Sequence, residues 1–159
     1  MADETPSELE RETADRQEIG ELLAEYCYRC DLNDPYGLAE CFTEDCVADY
    51  GPGVGPPSRG RDTRRREAER DLALFEATSH HLSNVIVEFD SRDRARARSA
   101  VHAWHRPKAP GPDWNLRAQY HDELERTRDG WKIAARRLVV IDAEGFPEGW
   151  GFHRLTRVS

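Results

Sequence analysis

TSHHLSNVIVEFDSRDRARARSAVHAWH, residues Thr78 to His105, decides how this chain folds. Val85, Val87 and Phe89 alternate with Asn84, Ile86 and Glu88. After a turn at Asp90 to Asp93, Arg94, Arg96 and Arg98 alternate with Ala95, Ala97 and Ser99, ahead of Val101 to His105. A period of two is that of a strand, whose successive side chains point to opposite faces. The stretch therefore reads as a long hairpin whose second strand starts with an arginine-lined face. Working outward, Lys108 to Asp113 holds two prolines and a glycine and breaks the pattern, and Leu116 to Arg126 is a third long strand. Asp129-Gly130 is a strong hairpin turn signal, and Trp131 to Ile141 follows as the fourth strand.

Upstream the period is helical. From Ala14, Ile19, Leu22, Leu23, Tyr26, Cys27 and Cys30 recur at three- and four-residue steps until Asn33-Asp34-Pro35 stops them. A short second helix carries Leu38, Ala39 and Phe42 inward, and Thr43 to Tyr50 is a short extended segment. GPGVGPPSRG, Gly51 to Gly60, is a loop. Asp62 or Thr63 caps a third helix, with Ala68, Leu72 and Phe75 on its inner side and Arg64 to Glu69 as a solvated charged face. Helices first and a meander of long strands after make an α+β chain. Its sheet is curved and mixed, mostly antiparallel, and forms a cone covered by the N-terminal helices with a pocket between the layers. Residues 1–13 read as a loose acidic tail and 14–143 as the cone domain. Residues 144–159, with GFPEGWGFHRL at Gly145 to Leu155, read as a packed tail or a lid over the pocket mouth.

The 159 residues suit one domain. A net charge of −8 argues against general binding of nucleic acid or anionic membrane. No apolar run approaches the ~20 residues of a membrane span, and the acidic start does not resemble a secretory signal, so a cytoplasmic location is expected. Cys27, Cys30, Cys41 and Cys46 are expected to be reduced and buried, acting as small hydrophobes.

Several polar residues fall at inward positions. Asp31 continues the apolar stripe of the first helix, where a carboxylate is costly without a partner. His80 and His81 are adjacent on a strand, so one of them faces the covered side. Parity with Ser83, Val85, Val87 and Phe89 selects His81. His105 shares parity with Val101 and Ala103 and is expected in the same cavity. Tyr26, Tyr50, Tyr120 and Asn84 are candidate hydrogen-bond donors to a substrate carbonyl. Of Arg136 and Arg137, the inward one, assigned to Arg136, demands a carboxylate from the protein or a ligand. Trp104, with Trp131, Phe42 and Phe75, suits a small apolar or aromatic substrate. No HxH or HExxH spacing supports a metal site. A phosphate loop, a GxSxG elbow and a dinucleotide fingerprint are all missing.

With an Asp near the end of the first helix, FTEDCVADYG (Phe42 to Gly51), SHHLSNVIVEFD (Ser79 to Asp90), AWH (Ala103 to His105) and YHDELERTRDGWKIAAR (Tyr120 to Arg136) in this order, the chain resembles the SnoaL-like branch of the nuclear-transport-factor-two-like superfamily over Ala14 to Asp142. The resemblance implies the cone fold. It also implies a kinship with scytalone dehydratase and hexachlorocyclohexane dehydrochlorinase, lyases without metal or organic cofactor that use an Asp-His pair. Carried over, it places that pair on Asp31 and His81, a second histidine on His105 and a tyrosine on Tyr50. Arg136 would match the dehydrochlorinase's chloride-binding arginine, but that enzyme's first-helix lysine has no counterpart here. The function this implies is a cofactor-independent dehydratase-type lyase acting on a small apolar or aromatic carbonyl compound. The alternatives are an isomerase or polyketide-cyclase-like enzyme, or a non-catalytic ligand-binding or assembly module. A homodimer or homotrimer is expected, since the outer face of such a sheet is usually apolar enough to need a partner.

Overall fold

Ser7 opens the first helix through its side chain. Its oxygen accepts the Glu10 peptide N–H at 3.3 Å, while the Glu10 carboxylate accepts the Ser7 peptide N–H at 2.7 Å. In this computed structural model, which describes residues 7–158, α1 therefore runs over Glu8–Asp31 and starts ahead of Ala14. Capping chemistry, and not the first apolar residue, sets the start. Of the expected tail, residues 1–6 lie outside the described residues and 8–13 are helical. The stripe Ile19, Leu23, Tyr26, Cys27 and Cys30 is buried. All four cysteines are buried free thiols, and burial pushes Cys27 up to about 11 and Cys30 to about 12. Asn33, at φ 54°, ends the turn after α1. Asp34 accepts the Gly37 N–H to begin α2 (Pro35–Glu40). Among the described residues no helix is long and apolar enough to cross a membrane.

β1 (Phe42–Asp49) and β2 (Ser58–Arg59) follow, then α3 (Arg61–Leu72). α3 departs from its sequence reading in three ways. No side chain caps it: Gly60, at φ 85°, occupies the cap position. Phe75 is not on the helix but opens the next strand. Arg64 does not lie on a solvated face. It is 5% exposed, because α3 turns that side toward β1, β2 and the layer between.

β3 (Phe75–Ser91), β4 (Arg94–Pro107), β5 (Trp114–Thr127) and β6 (Gly130–Glu144) form the antiparallel meander, and β1 adds in parallel to β6. The sheet order is β2-β1-β6-β5-β4-β3, curved and unclosed, with the helices over one face. The inward row of β4 is small, Ala95, Ala97, Ser99, Val101 and Ala103. The outer face carries ion pairs such as Arg94–Glu125 and Arg96–Asp90, both at 2.9 Å.

Two features of this sheet position the site. The first is a bulge in β3. Ser83 pairs with Ala100 and Ile86 with Arg98, so Asn84 and Val85 together face the single residue Ser99. Asn84 adopts φ 53°, a left-handed conformation that asparagine tolerates better than most residues. One extra residue inverts the alternation. Val87 and Phe89 face the helices beyond the bulge, and before it the inward residues are His80 and Leu82. The second is a buried ion pair. Arg136 donates to Asp122 through Nε and Nη2 at 2.7 and 2.8 Å, with both side chains fully buried. Tyr26 and Tyr120 lie 4.1 and 3.9 Å from the guanidinium carbon. Burial alone would favour the neutral form of Arg136, but the Asp122 carboxylate outweighs it and holds the cation.

After β6 the chain returns along the sheet. The Val140 N–H donates to the His153 carbonyl at 2.7 Å and the Leu155 N–H to the Val140 carbonyl at 2.9 Å. His153 also contacts both oxygens of Asp49, at 2.8 and 2.9 Å.

Two stability outcomes are expected from urea denaturation. Asp122→Ala leaves a buried cation unpaired and costs about 3–5 kcal/mol, whereas D122L combined with R136M recovers most of that loss. Asn84→Gly is near neutral, while Asn84→Val, a β-branched residue forced into the left-handed region, costs about 1–2 kcal/mol.

Candidate active site

At the end of α1 the chain runs into the negative pole of a helix, where a carboxylate gains nothing from the backbone. Asp31 is held there by donors from the start of β3. One oxygen accepts from His80 Nδ1 at 2.7 Å and from the Thr78 hydroxyl at 2.9 Å; the other accepts the His80 peptide N–H at 2.9 Å. Burial works against the charge, but the His80 ring, the His80 peptide and the Thr78 hydroxyl outweigh it, so Asp31 sits below the usual carboxylate range. A carboxylate partner assigns the proton to Nδ1 and leaves Nε2 as the basic nitrogen of a neutral ring. The His80 side chain is only 7% exposed, and among the described residues no hydrogen bond engages Nε2.

His80 borders a cavity of about 270 Å³ between the helices and the sheet. Next to it stands His105, edge to face at 5.2 Å between ring centroids, itself packed on Phe75 at 4.8 Å. Burial, and then the proximity of His80, lowers His105 to about 3, so its ring is neutral at any working pH. Its Nδ1 is buried without a hydrogen-bond partner. Tyr26, Tyr50 and Tyr120 also line the cavity, with the Tyr26 and Tyr50 hydroxyls 2.8 Å apart. Apolar walls come from Trp114 and from the C-terminal segment, where Phe146, Trp150 and Phe152 cluster. A larger groove of about 800 Å³, between the start of α1 and the β3–β4 turn, is lined mainly by surface charges and holds no histidine.

Four sequence expectations are corrected. His81 is not the partner of Asp31. It lies on the outer face, 3.1 Å from the Ser79 hydroxyl, because the parity that selected it was counted back through the Asn84 bulge. Asn84 is that bulge residue and is exposed, not a substrate donor. Trp104 faces outward, its indole N–H on Asp113 at 3.0 Å and the Arg106 guanidinium over its ring. The cavity's tryptophans are Trp114 and Trp150. Arg136 is inward as expected, but Asp122 engages it and it does not border the cavity. The signals for the missed residues were present. An asparagine between two strand halves is a bulge marker, and Trp114 shares the parity of Leu116. Arg64, which also borders the cavity, had no such signal. Among the described residues no three His, Cys, Asp or Glu side chains are grouped so as to hold a metal ion.

Known proteins of this shape carry the same layers. A family model for the SnoaL-like domain matches residues 11–137. A Novosphingobium aromaticivorans protein with the provisional designation scytalone dehydratase is 30% identical, with 95% of this chain and 99% of that one superposed at a TM-score of 0.87. A second protein of that organism, provisionally an aromatic ring hydroxylase, is 25% identical over 90% of this chain and 96% of its own, at a TM-score of 0.78. The hexachlorocyclohexane dehydrochlorinase of Novosphingobium barchaimii shares the fold at 20% identity, covering 92% and 98% of the two chains at a TM-score of 0.77. A search of curated proteins returns no match. On the strength of the matched model and the superposed architecture, the chain belongs to the SnoaL-like domain family, with the nuclear-transport-factor-two-like cone fold.

Proposed function

We propose that this protein is a cofactor-independent lyase of the dehydratase type, acting on a small aromatic or alicyclic β-hydroxy ketone. The observation that carries the proposal is the Asp31–His80 contact at 2.7 Å, opening onto an apolar cavity. His80 Nε2 takes the proton from the carbon next to the carbonyl. Asp31 keeps the ring in its productive tautomer and stabilises the imidazolium that forms. The neutral His105 ring stands beside the base, and Tyr50 is placed to donate to the oxygen on which enolate charge develops. The imidazolium then returns its proton to the departing hydroxyl. Water leaves, a C=C bond forms next to the carbonyl, and His80 is regenerated.

The provisional designation of the 30%-identical Novosphingobium protein supports this class. Dehydrochlorination is disfavoured, since α1 has no lysine and Arg136 is committed to Asp122. Isomerisation or cyclisation needs the same base and the same oxyanion donor without a leaving group.

A direct assay uses 3-hydroxy-1-tetralone, whose dehydration yields fluorescent 1-naphthol. The wild type is expected to release naphthol, and Asp31→Asn and His80→Gln each lower the rate by about 10²–10⁴. His81→Gln leaves it unchanged. Deuterium uptake next to the carbonyl without naphthol would assign the site to isomerisation or cyclisation. Neither uptake nor elimination, or an unaffected Asp31→Asn enzyme, would remove the catalytic reading.

His105 gives a second readout. Its folded value of about 3 lies below the ~6.5 of an unfolded histidine, so on acidification the unfolded chain takes up a proton that the fold refuses. Its contribution to stability is complete above about pH 6.5 and is lost as pH falls toward 3. His105→Gln is expected to flatten stability across that window, as measured by urea denaturation at stepped pH.

A further inference from the structure

Buried polar side-chain atoms without a partner are few in a folded protein, and each calls for an explanation. Among the described residues there are five, and three of them, Arg64 Nε, His105 Nδ1 and Trp150 Nε1, belong to residues that border the same cavity, whereas Ser99 Oγ and Arg136 Nη1 belong to residues that do not. Arg64 Nε and Trp150 Nε1 can only donate. The Arg64 guanidinium lies 4.8 Å from the Tyr50 ring, and Nη1 reaches Glu67 at 3.0 Å. Glu67 is itself a quarter exposed and does not border the cavity. A second cation bordering this cavity, Arg70, is mostly exposed and is paired at 2.7 Å with Asp71, which borders it too. Trp150 packs against Gly53, where its indole fills the space a side chain would need. The cavity is thus bordered by His80 and, from α3 and the C-terminal segment, by two residues whose unpaired nitrogens can only donate, one of them cationic.

We infer that the substrate is an organic acid: an aromatic or alicyclic carbonyl compound whose carboxylate is received by Arg64 and Trp150 while its reacting carbon faces His80. This deepens the proposed function and rests on the same cavity being the substrate site. A neutral carbonyl can also accept from the Arg64 Nε–H, but only an anion adds to the charge compensation of a buried guanidinium whose carboxylate partner is a quarter exposed. A carboxylate presents acceptor lone pairs in the plane that a guanidinium favours. The cavity volume suits one or two rings, close to the ~300 Å³ at which ligand pockets begin.

The test compares 2-naphthoate with 2-naphthamide, equal in shape and different in charge, by calorimetric titration of the whole protein. The wild type is expected to bind the naphthoate about 10- to 100-fold more tightly, the range of a charge-assisted hydrogen bond. Arg64→Gln abolishes that preference while retaining the naphthamide, and Arg66→Gln, on the exposed side of the same helix, keeps it. If Arg64→Gln does not fold, Trp150→Phe is expected to reduce the preference, and the wild-type comparison stands by itself. Equal affinities in the wild type, no measurable naphthoate binding, or a preference surviving Arg64→Gln would each overturn the inference, since solvent would then be what meets Arg64. Asp31→Asn separates this result from the catalytic one. It removes turnover of 3-hydroxy-1-tetralone if the lyase reading holds, and it leaves the naphthoate preference in place in either case.

Discussion

Asp31 sits where a helix least favours a negative charge, and three donors from the first residues of β3 keep it there. That clasp ties the end of α1 to the edge of the sheet at the point where the two layers part. It performs two tasks with one set of bonds. The peptide N–H of His80 and the hydroxyl of Thr78 satisfy the carboxylate structurally, and the ring Nδ1 turns the same carboxylate into the support of a base. Were the ring the only donor, the tautomer would depend on one contact. With the backbone of the same residue bound to the other oxygen, the imidazole is fixed in both position and tautomer.

The clasp depends in turn on a register device elsewhere in the strand. Asn84 inserts one residue opposite Ser99, and the strand's two faces exchange at that point. Without it, the face that carries Val87 and Phe89 would continue to Ser83 and His81, and Asp31 would meet the serine-histidine row instead of His80. The identity of the base is thus decided by backbone conformation several residues along the chain, as is usual for bulges beside functional sites.

This is why the architecture was legible in the sequence while part of the site was not. The period-two runs, the Asp129-Gly130 turn and the helical stripe through Cys30 carry signals repeated over many residues, and a single irregularity does not erase them. Asp31 and His105 were legible because each lies on an unbroken stripe of its own element. His81 was selected by counting parity across a bulge, where an error of one residue reverses the answer. Arg64 was hidden for a different reason. Arg64 to Glu69 reads as a charged surface face. Only the packing of α3 against β1 and β2 shows that one charged member of the run is almost wholly buried.

Two buried arginines illustrate how charge is used differently in the two halves of the interior. Arg136 has a fully buried carboxylate and two aromatic faces, so its charge is neutralised within the protein and the pair braces β5 against β6, although its Nη1 is also unpartnered. Arg64 has a partner at the rim and an unmet donor beside the cavity. A buried donor left unmatched costs about 1–3 kcal/mol, and the cost applies as well to the other two unpaired nitrogens bordering the same space. An apolar replacement at these positions would remove that cost. A ligand in the cavity that supplies acceptors to these nitrogens would offset that cost. Rigid pairing of Arg136 and unmet donors beside the cavity together favour a bound molecule with oxygen at one end and an acidic C–H at the other.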